Sequence, residues 1–308
     1  MTRRLAPWLL LLVLAACAGP PPLPPGPGCQ VKRVATLPVL MEQGAALVPV
    51  RIDDSPVLME VDTGSMTTLI AQNAAARLNL PPDPDRGARL HGTGGVIVTR
   101  NALVRKFELG GIVWPPRSLP TGPLARQFSG LFPVAGLLGA SDLARFDVEL
   151  DVRAGQMTLW SVTGCSGAFL PWSEPYRTVP LTADGTGLLH ASVLVNGRPL
   201  RALIDWGART SQITVRAARS VGVTADRLAS DPGGFGHGID QTAIALRGHR
   251  FDSFGVGDET FRDIRISVGA LDLPDAEMLL GMDYARSRRI WLSYATKQMF
   301  VAPRPGSR

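Results

Sequence analysis

Two stretches of the chain share one arrangement of apolar and polar positions. From Val48 to Asp62 the sequence reads VPVRIDDSPVLMEVD, and from Ala191 to Asp205 it reads ASVLVNGRPLRALID. In each, a β-prone run meets a polar turn, Asp53-Asp54 or Asn196-Gly197. A proline follows, Pro56 or Pro199, and then a second apolar run that ends in aspartate. Asn-Gly between apolar runs is a strong hairpin signal, so each stretch predicts a β-hairpin. The offset between the copies is 143 residues, and the register continues without a gap: Gly64 answers Gly207, Thr67 answers Thr210, and Ile70 answers Ile213. The Ala-rich stretches 71–78 and 214–221 predict a short helix after each aspartate.

Further on, Gly92-Thr93-Gly94-Gly95 answers Gly236-His237-Gly238-Ile239. Leu137-Leu138-Gly139 answers Leu279-Leu280-Gly281, the glycines falling 77 and 76 residues after their aspartates. Each half closes on strand-like runs, 146–150 with 157–160 and 290–293 with 298–301. Landmarks repeated in one order at nearly one offset mark an internal duplication. The expected fold class is all-β with few short helices, in two homologous lobes: 31–165 and 181–303, joined by a linker at 166–180.

The ends of the chain differ from this body. Met1 to Arg4 is a short positive region, and Leu5 to Ala16 is an apolar run too short for the ~20 residues of a spanning helix. It ends in Leu14-Ala15-Ala16-Cys17, which resembles a bacterial lipoprotein signal. That resemblance implies a signal peptide at 1–16, lipidation of Cys17, and a membrane anchor on the periplasmic side of the envelope. Ala18 after the cysteine implies sorting to the outer membrane. Residues 17–30 then form a Pro-rich tether that needs no core. The two remaining cysteines, Cys29 and Cys165, form an even pair in an exported chain and predict a disulfide.

Composition narrows the function. Hydrophobic residues make up 45% and charged residues 19%, with 33 Gly and 26 Pro, which excludes coiled coils and disordered chains. The net charge of +6 includes Arg3 and Arg4 of the leader, so nucleic acid is not an expected partner. The four histidines have no ligand spacing, and neither glycine cluster is followed by a P-loop lysine. No metal, nucleotide or other cofactor is expected.

Asp62-Thr63-Gly64-Ser65, repeated as Asp205-Trp206-Gly207-Ala208 and each time followed by Leu-Leu-Gly, resembles the two-lobed aspartic peptidases of the retropepsin-like and pepsin-like clan. The resemblance implies two β-barrel lobes with a cleft between them and Asp62 and Asp205 as a catalytic dyad. Two adjacent carboxylates share a proton and activate a bridging water. The resemblance also implies that the Ser65 hydroxyl bonds the outer oxygen of Asp62, a role Ala208 cannot fill for Asp205. Residues 92–95 and 236–238 are expected as flaps over a polypeptide substrate. Because one chain supplies both aspartates, a monomer is expected.

Trp206 departs from the pattern. That position is Thr or Ser in the family, with a hydroxyl that bonds across to the opposite loop; Trp offers only an indole N–H. Its ring is expected either to turn out into the cleft or interface or to separate the lobes, and Trp206→Thr to relieve crowding. Two readings stay open: an aspartic endopeptidase of exported polypeptides, and a catalytically impaired peptide-binding lipoprotein of the same fold.

Overall fold

The computed structural model of the 308-residue chain describes residues 26–124, 134–238 and 242–303. The expected signal peptide, Cys17 and the tether up to residue 25 lie outside the described residues. Among the described residues no helix is long and apolar enough to cross a membrane.

Both repeated segments are hairpins. Ala45–Ile52 pairs with Ser55–Val61, and Leu189–Val195 pairs with Arg198–Ile204. Their turns need positive φ at both central residues, supplied by Asp53 and Asp54 (46° and 68°) and by Asn196 and Gly197 (48° and 76°). This is the turn whose twist matches paired strands. Asp53 is further fixed there, because its carboxylate accepts from the N–H groups of Arg105 and Lys106 at 2.8 and 2.9 Å.

The second strand of each hairpin runs into its aspartate between two partners. Val134–Leu138 lies parallel to Ser55–Val61, and Met278–Leu280 lies parallel to Arg198–Ile204. On the far side of these, Leu69–Ala71 and Gln212–Thr214 return antiparallel. Each is followed by a short helix, Gln72–Arg77 or Val215–Ser220, that buries two alanines (Ala74 and Ala75; Ala217 and Ala218). The repeat is therefore structural as well as sequential, and the all-β, two-lobed class holds.

The lobes are joined by a sheet to which both contribute strands and which continues into the second lobe. Asp147–Asp151 pairs antiparallel with Arg289–Ser293, flanked by Gln156–Thr163 and Gln298–Val301. Gln30–Pro38 forms its free edge, and on the other side Arg177–Ala183 carries it on to Leu189–Val195 of the second lobe. The central pair, Asp147–Asp151 with Arg289–Ser293, is buried on both faces, so its carboxylates must be satisfied internally. Glu149 accepts from Trp160 Nε1, Trp172 Nε1 and Arg289 Nε, and Asp147 accepts from Trp291 Nε1 and the Ala295 N–H. Burial nonetheless pushes the Asp147 carboxyl above the ordinary range, against the opposing pull of its hydrogen bonds.

The segment expected as a linker is packed. Phe169 and Trp172 are buried with Trp291 and Phe300 beneath this sheet, and strand begins at Arg177. Aromatic side chains that can bury on a sheet face leave little free connector. Cys29 and Cys165 form a disulfide that clips the start of the first lobe to its end.

Candidate active site between the lobes

Asp62 and Asp205 follow directly on the paired strands, and one contact on each side sets their place. The Asp62 N–H donates to Leu138 O and the Asp205 N–H to Leu280 O, both at 3.0 Å. The Leu-Leu-Gly strands thus hold the aspartate backbones. Beyond each aspartate the chain turns back over its carboxylate. Asp62 Oδ1 accepts from the N–H groups of Gly64 and Ser65, and Asp205 Oδ1 from that of Ala208, all at 3.0 Å.

The glycines show how closely the loops approach each other. A Cβ at Gly207 would lie 2.4 Å from Asp62 Cγ, and a Cβ at Gly64 would lie 2.4 Å from Asp205 Cγ. Each carboxyl group therefore rests on the opposite loop's glycine, in space only a missing side chain can provide. The two aspartate loops thus face each other closely across the two lobes.

The cross-lobe lock is one-sided. Thr63, fully buried, donates its hydroxyl to Ile204 O at 2.7 Å and accepts from the Trp206 N–H at 3.0 Å. Trp206 has no hydroxyl to return this pair of bonds. Its ring neither turns out into solvent nor separates the lobes; it is 2% exposed and packs in the main apolar core. The reason is apolar burial: an indole that fits the core gains more there than in a wet cleft. Ser65 also differs from expectation. Its hydroxyl donates to Thr67 O at 2.9 Å, and it meets Asp62 through its N–H.

A second tier of residues, not singled out from the sequence, supports each loop. In the first lobe Thr68 Oγ1 accepts from the Gly139 N–H and donates to Asp142 Oδ2, while Ser141 Oγ accepts from the Thr68 N–H. Arg117 pairs with the other Asp142 oxygen at 2.7 Å. In the second lobe Ser211 Oγ accepts from the Gly281 N–H, and Asp283 Oδ1 accepts from both the N–H and the hydroxyl of Ser211. Extending the 143-residue offset from Thr68 lands on Ser211, so the repeat itself carried this signal.

The first glycine cluster forms a hairpin tip: Gly92 pairs with Gly95, and Thr93 and Gly94 make the turn. The tip reaches the other lobe. Thr93 O accepts from the Asp272 N–H at 2.9 Å, and His91 Nε2 lies 3.0 Å from Asp272 Oδ2. In the second cluster, Gly236 and His237 end the Gly233–His237 strand paired with Ala243–Val256, with Gly238 just beyond and His237 exposed. This hairpin is tied to its own lobe, where Asp231 receives Arg247 Nη1 on its carbonyl and meets His249 Nδ1 with its carboxylate at 2.6 Å. Among the described residues no group of three or more His, Cys, Asp or Glu is placed to hold a metal ion.

Comparison with known proteins agrees with this geometry. No curated protein sequence matches the chain. Among solved structures it is similar to the aspartic proteinase from Irpex lacteus, with a TM-score of 0.51 and 11% identity, over 89% of this chain and 98% of that one. At that identity the likeness shows the fold alone. The aspartyl protease family matches the sequence twice, over residues 48–141 and 191–284. Each match runs from the first hairpin strand, through one aspartate, to the helix after one Leu-Leu-Gly. Two copies of the family's unit, together covering more than half of the chain, make this chain a member of the aspartyl protease family.

Proposed function

We propose that the protein is an aspartic endopeptidase that hydrolyses peptide bonds of exported polypeptides with Asp62 and Asp205. The observation that carries this reading is the reciprocal seating of each carboxyl group on the other loop's glycine. One carboxylate, ionised, takes a proton from a bridging water as its oxygen attacks the peptide carbonyl. The other, protonated, gives its proton to the carbonyl oxygen. Collapse of the resulting diol breaks the C–N bond, and a proton passes to the leaving amine. The dyad titrates as a unit, so neither role belongs to one aspartate alone. Thr63, Gly64, Ser65, Gly207 and Ala208 hold its geometry. The hairpin at 92–95 acts as a flap, with its counterpart at 236–238.

The reading extends to the chain's setting. Cys17 carries the lipid that holds the body, as a monomer, on the periplasmic side of the envelope. Cys17→Ser releases it from membranes, and sedimentation of the released body gives a single-chain mass.

The test is hydrolysis of an unstructured polypeptide between about pH 3 and 7.5. Asp62→Asn and Asp205→Asn each abolish it with the fold intact, and the double variant loses little more. Hydrolysis that survives both substitutions would sink the assignment. One observation favours a second reading, a peptide-binding relative with impaired catalysis: of the two aspartate loops, the first supplies a cross-lobe hydroxyl from Thr63, whereas Trp206 at the matching position has none. Wild type that binds extended peptides yet cleaves none of them would select it.

A further inference from the structure

The first glycine-tipped hairpin, Pro82–Gly92 with Gly95–Val104, has two unlike faces. Residues opposite each other in an antiparallel pair share a face, and faces alternate along each strand. Leu90 pairs with Ile97, and Ala88 lies on the same face; His91 pairs with Val96 on the other face, with Arg89 and Val98. The first face packs inward, where Leu90 is buried with Leu69 and Leu137. Leu137 stands next to Leu138, whose carbonyl holds the Asp62 N–H. The tip then reaches the second lobe, where it meets Asp272 twice. The Asp272 N–H donates to Thr93 O at 2.9 Å, and its carboxylate lies 3.0 Å from His91 Nε2. Leu273, beside Asp272, packs on the cluster of Leu203, Ala208 and Leu279, and Ala208 belongs to the second aspartate loop. One hairpin thus spans from the support of Asp62 to the surroundings of Asp205.

The two contacts differ in what weakens them. The backbone bond is indifferent to pH. The side-chain pair is not, because an imidazolium attracts a carboxylate, whereas a neutral imidazole offers it at most an ordinary hydrogen bond. Histidine is the side chain that changes charge between about pH 5 and 8. Protons reach this pair, whose side chains are 33% and 54% exposed. Arg89 and Arg100 stand exposed on the hairpin's outer face beside His91. From the opposite segment Asp272 is in contact; Asp275 and Glu277 follow it in the chain, with Glu277 accepting from the Arg201 N–H. We propose that the His91–Asp272 pair is a latch that holds this hairpin closed across the two aspartate loops, tightening in acid and slackening toward neutral pH, so that access to the aspartates varies with pH. The gating of access rests on the peptide-site reading above; the latch itself does not.

The experiment reads the latch first without any substrate, in the full-length chain. Hydrogen exchange of the Asp272 amide, corrected for the intrinsic rate at each pH, reports how often the hairpin tip lets go. Protection should be about two- to fivefold higher at pH 5 than at pH 7.5, the range of a half-exposed ion pair. His91→Gln and Asp272→Asn should each remove that difference, and the double variant should lose no more than either. His91→Lys, charged at both pH values, should keep protection high at both. Equal protection at the two pH values in wild type, or a difference that survives His91→Gln, overturns the latch. The gate is read second, as the association rate of an unstructured fluorescent peptide in the Asp62→Asn variant. Adding His91→Gln should speed association by a similar factor at pH 5 and leave it unchanged at pH 7.5. Protection that follows pH while association does not overturns the gate and leaves the latch. Failure of every peptide to bind overturns the peptide-site reading and the gate with it, and the exchange result then judges the latch alone.

Discussion

The two aspartate loops share a backbone and differ in what ties them together. In the first, Thr63 makes two buried bonds to the second loop. In the second, Trp206 contributes its N–H to that pair and sends its ring into the core. The supporting tier differs likewise: Thr68, Ser141, Asp142 and Arg117 divide in the first lobe what Ser211 and Asp283 do alone in the second. The buried strand positions are exchanged as well. Leu47 faces Glu60 in the first lobe, whereas His190 faces Leu203 in the second. A duplicated scaffold therefore preserves backbone contacts strictly and lets side-chain contacts drift, because backbone groups have no substitute partners when buried.

The sharpest way to break this comparison is at Trp206. Making the second loop like the first, with Trp206→Thr, empties core volume rather than relieving crowding. Chemical denaturation should show a loss of about 3–5 kcal/mol, typical of deleting a buried aromatic ring. A stability equal to wild type would show that the ring is not part of the core.

Asp142→Ala should come next, at about 3 kcal/mol, because it strands a partly buried Arg117 and the Thr68 hydroxyl. Asp283→Ala, which removes the acceptor of the Ser211 N–H and hydroxyl, should cost less under the same denaturation. Equal costs would mean that the two supports are equivalent after all. Thr63→Val removes both cross-lobe bonds and leaves the Ile204 carbonyl and Trp206 N–H unanswered; about 2–3 kcal/mol should be lost, with Thr63→Ser close to wild type.

A smaller effect appears as pH dependence. Burial, with the Arg201 charge second, lowers the His190 pKa below its ordinary value. The unfolded chain therefore takes up this proton at higher pH than the native state does. Its contribution to stability is full above the unfolded histidine pKa and is lost as pH falls toward the lower native value. His190→Leu, which copies Leu47, should flatten that loss when urea midpoints at pH 7.5 and 5 are compared; an unchanged slope would exclude His190 as its source. The smallest effect belongs to the flap tip. His91→Ala should cost under about 1 kcal/mol, as half-exposed pairs do, and should speed exchange of the Asp272 amide hydrogen, which bonds Thr93 O.

The sequence by itself determined the duplicated all-β scaffold, because hairpin turns, apolar runs and the Asp-x-Gly and Leu-Leu-Gly landmarks are local patterns repeated at one spacing. It also marked Asp62 and Asp205, since a glycine two residues on is what a loop folded over its own carboxylate requires. The tertiary structure alone decided where Trp206 went, that Ser65 turns its hydroxyl to Thr67, that residues 169–172 pack under the interlobe sheet, and that His91 meets Asp272 from the other lobe. A side chain's destination depends on the volume and the hydrogen-bond partners supplied by residues far away in the chain. Those become neighbours only when the lobes close.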